Sequence, residues 1–138
     1  MKKPTVILCL VMLLNAGMIF AAEGADKISV DTMPPVVVKT IPQSGDTAVS
    51  PALKEIRVTF SKKMLTKEMW SWVQVTVETF PAMAGKVRYL GDGKTCVLPV
   101  KLEAGRTYVI WINSGHYDHF RDTTNLPAVP YLLVFQTK

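Results

Sequence analysis

Cysteine is nearly missing from this chain: there are two, Cys9 and Cys96, and the first lies in an N-terminal apolar run. A framework of internal disulfides is therefore excluded, and a hydrophobic core has to hold the fold. Histidine is equally scarce, with only His116 and His119. There is no Gly-x-Ser-x-Gly elbow, no His-Glu-x-x-His pair and no phosphate-cradling glycine loop, which removes the usual machinery of three large enzyme groups. A dyad of Cys96 with a histidine would set the thiol in one strand and the imidazoles beyond the end of another, so no catalytic residue is expected. A strong charge of one sign is absent too. The formal charge is +5, and it falls to +3 once Lys2 and Lys3 are removed with a leader. Charges scattered at that level argue against a nucleic-acid partner.

What is present begins with the leader. Met1–Ala22 places two lysines before an apolar run from Val6 through Phe20, broken only by Asn15 and Gly17, and ends in small residues. That is the layout of a secretory signal peptide. Cleavage falls after Ala22 or after Gly24, and the run is short for a membrane span, so no stable insertion is expected once it is cut. Leu8 stands before Cys9 where a lipid-attachment motif needs a small residue, so the exported chain is read as free, periplasmic or secreted. Residues 23–33 mix charged and small side chains and read as a flexible tether. The domain then runs over 34–138, and a single thiol remains in it.

The domain is organised around Leu102–Asn113, LEAGRTYVIWIN. Arg106–Asn113 is rich in β-branched and aromatic residues and is too short for a typical helix. As a strand it puts Tyr108, Ile110 and Ile112 on one face and Thr107, Val109, Trp111 and Asn113 on the other. With apolar groups on both faces it belongs in the middle of a sheet. Leu102, Gly105 and Tyr108 have the spacing of a tyrosine corner, in which the hydroxyl bonds to upstream backbone. Before it, Val36–Ile41 and Glu55–Phe60 read as strands, the second alternating cleanly. Ser61–Trp70 reads as a short helical turn capped by Ser61. Trp72–Thr79, Lys86–Leu90 and Thr95–Val100 read as further strands, with 80–85 as a loop. Asp92-Gly93 joins the last two as a hairpin, and Pro99 suggests a bulge or an edge. Tyr131–Thr137 closes the chain. Cys96 shares a face with Leu98 and Val100, which makes it a buried, inert thiol. About seven strands at this spacing with no βαβ alternation predict an all-β, immunoglobulin-like Greek-key β-sandwich.

Four pieces, in order, carry a resemblance: PPVVVKTIPQSGDTAVSP, IRVTFSKKM, DGKTCVLPVKLEAGRTYVIWI and LVFQT. Together they resemble the bacterial Ig-like domain family named after the surface-layer protein SbsA, from Pro35 to Lys138. The family has an Asp followed shortly by Gly-Asn before its last strand, whereas this chain has Asp122-Thr123-Thr124-Asn125 without the glycine. The resemblance implies an extracytoplasmic structural or interaction module of the cell envelope, without catalysis, and implies no particular ligand.

Two places could carry function. His116, Asp118 and His119 lie within four residues in SGHYDHFRD, and imidazole with carboxylate suits copper or zinc. A small periplasmic copper carrier is the alternative that follows. The carriers of that type, also exported sandwiches, use a histidine at the mature N-terminus, and none occurs here before His116. The plainer account, solvated loop histidines and no cofactor, is the one adopted. The second place is the outward face of the last two long strands, where Val109 and Trp111 would lie beside Leu132 and Val134. Either the Met64–Trp72 excursion covers that patch, or a partner does. An envelope protein or polysaccharide would be such a partner, with the chain itself a monomer.

Overall fold

The alternation in EIRVTF becomes a strand whose Ile56, Val58 and Phe60 are buried to within 1% of completely. The computed structural model describes residues 27–138, so the leader lies outside the described residues. Eight strands follow in order: β1 (Val37–Ile41), β2 (Glu55–Phe60), β3 (Trp72–Gln74), β4 (Ala82–Met83), β5 (Arg88–Tyr89), β6 (Thr95–Lys101), β7 (Thr107–Ile112) and β8 (Tyr131–Gln136). They form two antiparallel sheets, β1-β2-β6-β4 with β5 also on β6, and β3-β7-β8. The all-β sandwich is as expected, with one strand more: β4 arises inside the segment read as a loop.

Each sheet turns one apolar row inward. Ile56, Val58 and Phe60 with Cys96, Leu98 and Val100 meet Tyr108, Ile110, Ile112, Leu133 and Phe135 in one buried cluster. Phe120 closes one end of it, 5.0 Å from Phe60 and edge-on to Trp72 at 5.6 Å. β7 is indeed the middle strand of its sheet, paired with β3 and β8. The tyrosine corner also forms. Tyr108 is buried, stacks on Phe135 and accepts a hydrogen bond at its hydroxyl from the Glu103 N–H, 2.8 Å. Gly105 has φ +66°, a backbone state that costs other residues strain. The corner is then clamped by Thr137, whose hydroxyl donates to the Glu103 carbonyl and accepts from the Arg106 N–H.

The outer face of the larger sheet is mostly polar, and its one fully buried apolar residue explains an ion pair. Val97 is fully buried although it sits opposite Arg57 on one side and Arg88 on the other. Both guanidinium groups bond Glu55, so the two arginine stems lie across the valine and keep water from it.

Three local readings need correction. Ser61–Trp70 contains no helical turn: Ser61 accepts from the Val36 N–H, and the Met64 and Leu65 N–H groups donate to Gly93 and Arg121 carbonyls. Those donors have tertiary partners, so the segment is irregular and not helical, and Met64 enters the core. The strand expected over Trp72–Thr79 stops at Gln74. Thr76 and Thr79 cap each other across a turn, after which the Thr79 carbonyl rejoins β7 at the Val109 N–H. Pro99 lies inside a central strand, not at a sheet edge. Its side without an N–H faces the gap between β5, which ends opposite Val97, and β4, which begins opposite Val100. Gly85 fits that gap because a Cβ there would come within 3.3 Å of the proline ring.

Candidate functional site

The outer face of β3-β7-β8 is apolar. Register places Val73, Trp111 and Leu132 in one row and Val109 beside Val134 in the next. Because paired residues in an antiparallel ladder point the same way, these five side chains form one patch. Val73, Val109, Trp111 and Val134 are half-buried and Leu132 is 37% exposed. The expected internal cover does not form. Met64 is within the core, and Trp70 and Trp72 pack against that core between the sheets. Beyond the patch Val77 stands 74% exposed on the turn that interrupts β3.

The histidine loop is built from a residue that sequence patterning misassigned. Asn113 does not continue the outward row. It leaves the strand at φ +58° and is completely buried. Its side chain donates to the Phe120 and Ala128 carbonyls, each at 3.0 Å, and accepts from the Phe120 N–H at 2.9 Å. Residues 114–128 are thereby tied to the end of β7, but their histidines are not drawn together. His116 is exposed, and Asp118 is bound by Arg121 at 2.6 Å. That guanidinium holds the Asp118 carboxyl below the usual range. The His119 N–H donates to Ser71 Oγ, at the start of β3. Among the described residues no three His, Cys, Asp or Glu side chains are grouped to hold a metal ion. The proposed copper donors His116, Asp118 and His119 are thus not gathered into one set.

A carboxylate that the sequence offered only as a turn residue is the most constrained in the domain. Asp122 is 1% exposed. Its Oδ1 accepts from the Thr124 N–H, the Thr124 hydroxyl and the Leu126 N–H, while Oδ2 meets Lys62 Nζ at 2.6 Å. Burial pushes its pKa up, and the Lys62 ammonium with the loop donors outweighs this, leaving it below the ordinary value. The missing glycine is replaced by Asn125, which supplies the positive φ, +70°. Cys96 behaves as read: it is buried, and burial pushes the thiol up to about 12.

One cleft of about 450 Å³ opens between the sheets beside β3. Trp70 and Trp72 line it from the β3 side, Phe80, Met83 and Val87 from the β4–β5 side, and buried Leu98 lies at its floor. Ser71, Gln74, Tyr117 and His119 supply its polar groups. No sequence pattern reveals it, since these residues come from four separate segments and none forms a motif.

The family model for a bacterial Ig-like domain matches residues 31–137. Two solved chains are similar. A crystal structure of the S-layer protein rSbsC(31-844) is 19% identical, with a TM-score of 0.47 over 75% of this chain and 14% of that one. Surface layer protein SbsC, domains 1-6, is 16% identical, with a TM-score of 0.43 over 76% of this chain and 14% of that one. This chain therefore spans a small part of each. No curated protein matches it.

Proposed function

The chain belongs to the bacterial Ig-like domain family, and from that premise we propose that it is an exported, non-catalytic module of the cell envelope that binds or spaces other envelope components. The leader is removed after Ala22 or Gly24, and the sandwich works outside the cytoplasm without a cofactor. The observation that carries the binding role is the outer face of β3-β7-β8, where Val109, Trp111, Leu132 and Val134 stay partly open to water. A patch of this kind with a tryptophan near its centre is typical of a protein contact. The partner we assign to it is another envelope protein.

The test is a photo-crosslinking residue placed at Leu132 in the growing cell, with one at exposed Lys54 as control. A discrete adduct in the envelope fraction from position 132 alone, lost when Trp111→Ser is added to a protein that still folds, is the expected result. Equal adducts from both positions, or none from 132, would defeat the assignment of this face. The mass of the recovered protein reads the leader independently: a chain beginning at Met1 would overturn export with cleavage.

A further inference from the structure

We propose that the cleft beside β3 is a second binding site, for a neutral sugar ring of a glycan. It adjoins the outer-face contact, with Val73 common to both, but its ligand is of a different class and its binding does not depend on that contact. None of the eleven side chains lining the cleft is Lys, Arg, Asp or Glu, in a chain where those types make up 20% of residues. A phosphate or carboxylate would find no lysine or arginine there, only the imidazole of His119, and an ammonium would find no carboxylate, which favours an uncharged ligand.

A volume of about 450 Å³ is within the usual range for small-molecule sites. Trp70, Trp72 and Phe80 offer ring surface, while Gln74, Tyr117 and His119 bring an amide, a phenol and an imidazole to the same opening. Flat apolar faces beside neutral donors and acceptors match a pyranose, which has C–H groups on its faces and hydroxyls around its edge. An extended peptide fits less well. Adding a strand needs a run of free backbone groups, and β3 is three residues long before the Thr76–Thr79 turn interrupts it.

Tryptophan emission reports on the cleft directly, because Trp70 and Trp72 line it and Trp111 does not. The purified protein is titrated with cellotetraose and with the N-acetylglucosamine tetrasaccharide, which separate plain from acetamido sugars, and with a neutral aromatic peptide. A saturable change with at least one sugar is expected, weakened about tenfold by Tyr117→Ala or Gln74→Ala. Both positions are exposed, so these variants keep the fold. Leu132→Ser leaves sugar binding unchanged, which keeps the two sites distinguishable. No saturable change with either sugar, a response to the peptide alone, or sugar binding that survives the Tyr117→Ala, Gln74→Ala pair would overturn the proposal.

Discussion

Asn113 sits where β7 has to stop and the chain has to turn back over the end of the sandwich. Asparagine tolerates the left-handed backbone better than other residues bearing a Cβ, and its amide can satisfy two carbonyls and one N–H at once. Asn113→Ala removes three buried hydrogen bonds and leaves alanine in the left-handed region, so it is expected to cost about 3 kcal/mol. Asn113→Gly loses the same bonds but keeps the backbone state, and should be milder by about 1 kcal/mol. Urea unfolding of the two variants checks this; identical midpoints would mean that the backbone state is not the constraint. Asn113 was misplaced on the outward row because alternation describes a strand only while it lasts. The residue that ends a strand is defined by partners fifteen positions away, such as Ala128, and no local pattern contains them. Tyr108 was legible for the opposite reason: its acceptor role involves Glu103, five residues upstream.

Among elements, those that alternate are legible in the sequence and those that depend on a distant neighbour are not. β2, β6, β7 and β8 fall where their apolar periodicity puts them. Ser61–Trp70 looks like a capped turn in isolation, yet Lys62 reaches Asp122 and Met64 bridges the same residue across sixty positions of sequence. The pairing of that segment with the Asp122 loop has a pH signature. Asp122 is held below its ordinary value in the fold, so its contribution is full above the ordinary aspartate range and is lost as pH falls through the folded value. Asp122→Asn leaves Lys62 without its counter-charge and is expected to cost about 3 kcal/mol at neutral pH. In acid, once pH has fallen through the folded value and the wild-type carboxyl is protonated as well, the gap between the two proteins should close. Urea midpoints at the two pH values decide the matter. A gap that persists in acid would assign the loss to loop geometry and not to charge.

At the scale of the whole molecule, Cys96 reports on whether the sandwich opens as a unit. It lies on β6, flanked by β2 on one side and by β4 and β5 on the other, with its side chain in the core between the layers. A thiol with its pKa raised to about 12 by burial is inert while folded. Labelling by Ellman's reagent therefore requires the layers to separate. In the leader-free protein Cys96 is the sole cysteine, so the labelling rate follows the population of open molecules when reclosing is fast. If opening is global, the 3 kcal/mol expected for Asn113→Ala raises that rate about 150-fold. A rate unchanged by that substitution would mean that β4 and β5 lift from β6 by themselves. These two strands are only two residues each and are divided at Pro99, so they are where such an opening would start. They also form one wall of the cleft. Global opening would therefore leave the cleft intact for as long as the protein is folded, whereas local lifting would make its width depend on how often that wall is closed.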